Sequence, residues 1–374
     1  MITVTLLDKY VLIYELLILM LDMKLKCILL VLVGTFTTNL VAQNIDSDII
    51  NAYLDNVAQA NIEAGSLSVF KGGKEVYSYR FGYDNLPEGV SDNNTQYQIG
   101  SVTKMFTSVL VFKLVEQGKL KLTDKLAKYY PDLPNAKDIT IKNMLEHTSG
   151  LGSYVVKNGE VWVTEKQTDE AILDLIKEQG VKFAPGKDVA YSNSAYYLLS
   201  KIVESVSHKP YHELVDTYIC RPLELKNTYS ANTYTTNVFR PFHFKDNKWT
   251  DIKEIDTENI IGVGDIASTM YDLNVFIYGV FHDKLLSKQS FSQMLPIKNK
   301  EKWGRGINTF DEGGHIYYGH GGDTLGTHTI LMYNPDEDVA IAYSSNAQRM
   351  PQEVFKNILY IIYGKEYSIP LVVK

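Results

Sequence analysis

The 374-residue chain has 45% hydrophobic and 22% charged residues, the composition of a globular protein and not of a disordered or low-complexity one. Its formal net charge of −7 argues against a surface that binds nucleic-acid phosphates. Two cysteines are too few for a disulfide scaffold or a cysteine-rich zinc site.

The first 42 residues predict a secretory signal peptide. Lys24 and Lys26 form a positively charged segment, and residues 28–33 form the apolar run that follows it. Ala42 supplies a small side chain at the expected cleavage point. We therefore expect a periplasmic or secreted protein.

Two points about this segment stay open: where the protein starts, and whether the segment is cleaved or retained. Met23 is the expected true start, with residues 1–22 an upstream mis-start. The alternative is a membrane anchor over roughly 10–33. Its charged residues, Glu15 and Asp22 among them, would each cost about 2.5–3.5 kcal/mol at the bilayer centre. The protein would contact a membrane only if this segment were retained.

The mature chain is expected to form one domain over 43–364, followed by a tail at 365–374. The domain begins with a predicted helix at 46–60, where apolar residues recur at helical spacing. Two strands at 66–70 and 75–81, separated by a glycine turn, predict a β-hairpin.

The rest of the domain divides into a helix-rich middle and a strand-rich end. The middle extends from about 101 to 295. Four predicted strands and a final amphipathic helix follow it, at 304–310, 315–318, 327–334, 339–345 and 351–363. The sequence therefore predicts an α+β fold: an antiparallel sheet made from both chain ends, flanked by the terminal helices, with a helical region inserted.

The first candidate for chemistry is the pair Ser101 and Lys104, three residues apart in the first turn of a predicted helix, and so on one face. A serine needs a base to become a nucleophile, and a desolvated lysine can serve as one. The S-x-x-K pattern alone is weak, because Ser68 and Lys71 also match it on a predicted strand. The alternative is a helix-capping serine beside a solvated lysine.

Two further segments could face the same cleft. Tyr191 and Asn193 lie in a loop that leads into a predicted buried helix, and could also be a packing tyrosine and a helix cap. His320 lies in a glycine-rich stretch, 318–323, at the end of a predicted strand. There glycines would let a substrate approach the backbone. The alternative is a hairpin turn with a surface histidine.

Together the three segments resemble the serine β-lactamase and penicillin-binding-protein superfamily, whose motifs are S-x-x-K, S-D-N and K-T-G. The second motif is Y-S-N here and the third is H-G-G, as in the class C β-lactamase branch, peptidase family S12. The resemblance covers about 46–364. Supporting segments similar to that family lie at 145–151, 183–186, 221–225 and 262–269.

The resemblance implies a β-lactamase/D,D-peptidase-like fold and a role for each motif residue. Ser101 would be the acylated nucleophile, Lys104 would help to deprotonate it, and Tyr191 would carry the proton to the leaving group. The backbone N–H groups of Ser101 and Asp323 would form the oxyanion hole. The implied substrate-binding residues are Asn193, His320, Gly321 and Gly322.

His320 is a departure from the lysine that β-lactamases carry at this position. A histidine is mostly neutral near its usual pKa of about 6.5. It therefore offers no fixed positive charge to a substrate carboxylate, which argues against strong β-lactamase activity.

Two competing motifs have less support. The segment 262–267 matches the dinucleotide-binding pattern G-x-G-x-x-A but lies in no clear βαβ unit. His315, His320 and His328 fall on adjacent predicted strands, where a metal site is a minor alternative. We expect no cofactor and no metal.

The sequence thus predicts a serine hydrolase that acts through an acyl-enzyme on an ester, a D-amino-acid peptide or a β-lactam-like amide. The alternative is a catalytically weak protein that binds a peptidoglycan peptide in the same groove. The expected partner is a small-molecule or peptide substrate and no nucleic acid; the oligomeric state is left open.

Overall fold

The computed structural model describes residues 45–86, 94–234, 237–296, 303–348 and 351–369. The predicted signal segment, 1–42, lies outside these residues, as does the end of the predicted tail. Within the described ranges, every helix is too short or too polar to span a bilayer.

The helices and strands are numbered in chain order. The helices are α1 (Ser47–Gln59), α2 (Thr103–Glu116), α3 (Ile141–Leu145), α4 (Asp169–Gln179), α5 (Asn193–Ser207), α6 (Tyr211–Val215), α7 (Arg221–Leu223), α8 (Met270–Phe281), α9 (Lys288–Met294) and α10 (Pro351–Ile362). The strands are β1 (Glu63–Lys71), β2 (Lys74–Phe81), β3 (Tyr97–Gln98), β4 (Val156–Lys157), β5 (Glu160–Val161), β6 (Phe242–Lys245), β7 (Lys248–Asp251), β8 (Ala267–Ser268), β9 (Asn308–Glu312), β10 (His315–Asp323), β11 (His328–Asn334) and β12 (Val339–Gln348).

The main sheet is built from both chain ends, in the order β2-β1-β12-β11-β10-β9 with antiparallel neighbours. β1 pairs directly with β12, with Leu67 opposite Tyr343. The predicted α+β architecture, with an antiparallel sheet from the two ends and a helical region between them, is confirmed.

Both faces of this sheet are covered, because successive side chains of a strand point to opposite faces. In β12, Ile341 and Tyr343 belong to the core that the sheet shares with the terminal helices α1 and α10. Ala340 and Ala342, on the other face, belong to the larger core that contains α2, α5 and α8. The small alanine side chains allow α8 to pack closely against the sheet.

α2 is buried on nearly all sides. The sequence predicted one buried stripe, but Lys104, Thr107 and Ser108 are buried as well as the apolar residues. Phe106 stacks on Phe276 of α8, with ring centroids 3.8 Å apart. A helix buried all round is a core helix, so the residues at its start are held rigidly.

Several strand bounds differ from the sequence prediction. β10 continues through the glycines to Asp323, so the hairpin-turn reading of 318–323 is wrong. The predicted strand at 304–310 begins only at Asn308. The middle region also holds a hairpin, β6 and β7, which joins the main sheet through one parallel pair, Phe242 with Ala347.

Candidate active site

Ser101 lies in a 3₁₀ turn, Gly100–Val102, directly before α2. Nζ of Lys104, on the first turn of α2, is 2.9 Å from Oγ of Ser101. The same Nζ donates a hydrogen bond to the carbonyl oxygen of Val263 at 2.9 Å. Lys104 has 0% relative exposure, so it is not the solvated lysine of the alternative reading.

The environment of Lys104 favours its neutral form. Burial lowers the pKa of this amine well below its usual range, because a low-dielectric interior disfavours the charged state. A neutral amine 2.9 Å from a serine hydroxyl can accept its proton. Val263 lies in the segment 262–267 that matches the dinucleotide-binding pattern, and its backbone carbonyl accepts the second hydrogen bond of Lys104.

Tyr191 completes a compact cluster with these two residues. Its phenol lies close to the Ser101 side chain, and burial raises its pKa above the usual value. The centroid of its ring is 4.9 Å from Nζ of Lys104. The phenol therefore carries its proton at neutral pH and is placed to pass it to a group bound at Ser101.

His147 holds the segment that carries Tyr191, a role we did not predict. Its Nδ1 accepts a hydrogen bond from the backbone N–H of Ser192 at 3.1 Å, and its ring centroid is 4.6 Å from that of Tyr191. Burial lowers its pKa well below the usual value, so it is neutral. This partner lies 45 residues away in the chain, so no local sequence pattern indicates the contact.

The glycine-rich end of β10 packs directly against the Ser101 turn. A Cβ atom on Gly322 would lie 2.0 Å from the carbonyl oxygen of Ile99 and 2.8 Å from the backbone nitrogen of Ser101. A Cβ on Gly100 would lie 2.8 Å from the backbone nitrogen of Asp323. The two backbones touch because neither glycine has a side chain, which brings the Ser101 and Asp323 amides to one place.

His320 is buried and uncharged, not a surface histidine. It is 3% exposed, and its Nδ1 lies 2.5 Å from the carbonyl oxygen of Gly321. Burial lowers its pKa to about 4. Its Nε2 is buried and makes no hydrogen bond to any residue that the structure describes.

A cleft of about 370 Å³ opens at this cluster. Its lining residues are Ser101, Tyr191, Trp303, Asn308, Phe310, His320, Gly321 and Asp323. Trp303, Asn308 and Phe310 were missed by sequence reasoning. The register of β9 against β10 places two of them, since Asn308 pairs with Gly319 and Phe310 with Tyr317.

Asn193 and Gly322 are not among the lining residues of this cleft. Asn193 is the first residue of α5, and its Nδ2 donates to Oγ of Ser153 at 2.9 Å. Its buried Oδ1 makes no hydrogen bond within the described chain. Substrate binding by Asn193 stays a prediction, and the position of Gly322 is set by backbone packing.

The three histidines considered as a metal site make separate contacts. His315 pairs with Glu337 and His328 with Asp323, while His320 faces the cleft. In the part of the chain that the structure describes, no cluster of three or more potential metal ligands occurs.

Comparison with known proteins assigns the family. The model of the family described as Beta-lactamase matches residues 47–364. This chain belongs to the beta-lactamase family. The match extends over the sheet, the helical region and every described residue of the cleft.

Characterised relatives and solved structures are similar over most of this chain. It is 25% identical over 338 residues to penicillin-binding protein 4* of Bacillus subtilis, covering 82% of this chain and 74% of that protein. It is 28% identical over 245 residues to a teichoic acid D-alanine hydrolase of Staphylococcus aureus, covering 65% and 60%. The chain thus spans about three fifths of the length of several curated relatives it matches.

The fold is also that of a D-amino acid amidase from Ochrobactrum anthropi, solved with D-phenylalanine. The two structures superpose with a TM-score of 0.74, at 22% sequence identity, over 85% of this chain and 98% of the amidase. At this identity the likeness establishes the fold, and the chemistry is argued from the site itself.

Proposed function

We propose that this protein is a serine hydrolase that acts through a covalent acyl-enzyme on Ser101. The observation that carries the proposal is the 2.9 Å contact between Oγ of Ser101 and Nζ of a fully buried lysine, Lys104. A lysine kept neutral by burial is a base, and the only nucleophile it contacts among the described residues is Ser101.

The reaction runs in two halves. In the first, Lys104 takes the hydroxyl proton, Oγ of Ser101 attacks the substrate carbonyl, and the oxyanion is held by the backbone N–H groups of Ser101 and Asp323. Tyr191 passes its proton to the leaving group as the carbonyl–leaving-group bond breaks, and takes up in its place the proton held by Lys104. In the second half, a water molecule gives a proton to Lys104 and attacks the acyl ester, and that proton passes to Oγ of Ser101 as the acyl–oxygen bond breaks and the acid is released.

The substrate class is supported by what the relatives are named for. Among them are an amidase for D-amino acids and a hydrolase that acts on teichoic acid D-alanine. We therefore favour D-amino-acid amides and D-alanyl esters over β-lactams. The neutral His320 agrees with this order, since it offers no charge to the carboxylate of a β-lactam.

The test combines covalent labelling with turnover. A fluorophosphonate should label Ser101, as located by peptide mass spectrometry, and a Ser101→Ala variant should not be labelled. That variant should also lose roughly three to six orders of magnitude in kcat while remaining folded. Retention of more than about a tenth of the activity would exclude Ser101 as the nucleophile. Peptide binding without labelling would instead indicate a peptidoglycan-binding protein.

Export is a second part of the proposal. The charged and apolar segments before Ala42 favour a mature protein that begins near Gln43 and acts in the periplasm or outside the cell. Intact-mass measurement on protein from the native host tests this. A species that retains Met1 or Met23 would contradict it and support the membrane anchor.

A further inference from the structure

Among the described residues that line the cleft, a single side chain is charged. Asp323 is the sole carboxylate of this described lining, which contains no lysine or arginine. His320, which is the nitrogen base among these lining residues, is buried and uncharged. Burial favours the neutral form of Lys104, whose Nζ is hydrogen-bonded to Oγ of Ser101.

We infer that this cleft selects acyl donors with a free α-ammonium group, bound by the carboxylate of Asp323, and disfavours donors with a carboxylate beside the scissile bond. The inference rests on the proposed function, because it specifies which substrates the Ser101 acyl-enzyme forms from. It narrows the class from D-amino-acid derivatives in general to those with an unblocked amine.

The carboxylate of Asp323 is both anchored and accessible. Its Oδ1 lies 2.7 Å from Nδ1 of His328, which fixes the side chain, while the Asp323 side chain stays 73% exposed. Its Oδ2 makes no hydrogen bond to the residues that the structure describes. One oxygen is therefore held and the other is available to accept a hydrogen bond from a ligand.

The position of Asp323 relative to the reacting carbonyl fits an α-ammonium. The backbone N–H of the same residue lies beside the Ser101 turn, where the carbonyl oxygen is proposed to bind. An α-nitrogen is only two bonds from the carbonyl carbon, so a substrate held at this amide has its ammonium within reach of the side chain. The Asp323 carboxylate is near enough to Tyr191 and His320 to act on both electrostatically.

The aromatic walls favour the same ligand. Trp303 and Phe310 line the cleft on the side of β9. The Trp303 ring lies 5.4 Å from that of Tyr191 and 6.1 Å from that of His320. Aromatic faces attract cations, and more strongly where water is excluded. A carboxylate in the same place would meet an acidic group and aromatic faces, with no cation among the described lining residues.

The experiment compares two isosteric substrates, D-alanine p-nitroanilide and D-lactic acid p-nitroanilide, which differ in having an ammonium or a hydroxyl. Wild-type kcat/KM should be about 10- to 100-fold higher for the ammonium substrate, because hydrogen bonds to charged groups are the stronger ones. Asp323→Asn should reduce that ratio about tenfold or more, and Asp323→Glu should retain most of it. Asp174→Asn, on the exposed surface of α4, is the matched control and should leave the ratio unchanged.

The outcomes separate this inference from the proposed function. Fluorophosphonate labelling of Ser101 with equal turnover of the two anilides, or with no turnover of the ammonium substrate, would overturn the inference and leave the acyl-enzyme standing. An unchanged ratio in Asp323→Asn, with thermal unfolding showing a folded variant, would also overturn it. Absence of both labelling and turnover would refute the proposed function itself.

Discussion

The side chain of Lys104 is fully buried, although lysine is among the residues least often buried without a partner. It contacts a serine hydroxyl and a carbonyl oxygen and has no carboxylate partner among its hydrogen bonds. Burial without a counter-ion lowers the pKa of the amine. At the scale of one residue, the surroundings therefore turn an ordinary cation into a base.

Replacing Lys104 with arginine tests this directly. Arginine keeps a positive charge and does not lose its proton, so it cannot accept the proton of Ser101. We expect kcat to fall by roughly 10²- to 10⁴-fold. In the wild type, kcat/KM should decrease as the pH is lowered through the depressed pKa of Lys104, because the protonated amine is no longer a base. Near-normal rates in Lys104→Arg would require another base.

Replacing His320 with lysine restores the positive charge that β-lactamases carry in the third motif, and tests whether this position faces a substrate carboxylate. The new cation would face the cleft, where charge-assisted hydrogen bonds contribute about 1.5–3 kcal/mol and neutral ones about 0.5–1.5 kcal/mol. We expect the ratio of kcat/KM for nitrocefin to that for a neutral p-nitrophenyl ester to increase about tenfold. His243→Lys, exposed on β6, is the control. An unchanged ratio in His320→Lys would show that His320 does not face the substrate carboxylate.

At the scale of elements, the candidate active site is a contact between the end of β10 and the 3₁₀ turn before α2. Neither element carries the whole site. β10 brings Asp323 and His320, while the turn and α2 bring Ser101 and Lys104. The distance between β10 and this turn is set by Gly322, because any side chain at Gly322 would collide with the backbone at Ile99.

Gly322→Ala should therefore separate the two elements. Its Cβ would lie 2.0 Å from a backbone oxygen, and overpacking of this kind typically costs about 1–3 kcal/mol. We expect a lower free energy of unfolding, measured by denaturant titration, and a clear loss of kcat/KM. Gly321→Ala is the matched comparison for stability, because its Cβ would meet only a carbonyl oxygen at 4.0 Å. Equal stability of the two variants would contradict the packing argument.

At the scale of the whole molecule, the sheet joins the two ends of the chain and separates two cores. Glu63, the first residue of β1, is 1% exposed where β1 meets β12, and the Tyr343 hydroxyl donates a hydrogen bond to its Oε2. Burial raises the pKa of Glu63 to about 8. The folded protein therefore holds this carboxyl protonated at a pH where the unfolded chain has released the proton.

This buried acid should make stability dependent on pH. Folding raises the pKa of Glu63. Its contribution to the free energy of unfolding is therefore complete below the ordinary pKa of 4.5, and is lost as the pH increases through about 8. The slope can reach about 1.4 kcal/mol per pH unit. In Glu63→Gln, which cannot ionise, the free energy of unfolding should depend less on pH over this range. Glu178→Gln, exposed on α4, should keep the wild-type profile; a parallel profile in Glu63→Gln would refute the effect.

The sequence by itself determined the features that depend on neighbouring residues. Helical spacing and strand alternation were enough for the terminal helices, the hairpin of β1 and β2 and the α+β class, because these patterns reflect which face each element buries. The resemblance of the three motifs identified the family, which the family match at 47–364 confirms. The motif spacing also placed Ser101 and Lys104 on one side of a helix start.

Only the tertiary structure decided what depends on residues far apart in the chain. The neutral state of Lys104 follows from its complete burial, to which elements from several parts of the chain contribute. The role of His147 depends on a contact with Ser192, and the cleft residues Asn308 and Phe310 are placed by the register of β9 against β10. Burial, register and electrostatic fields arise from the packing of the whole chain, so no local pattern contains them.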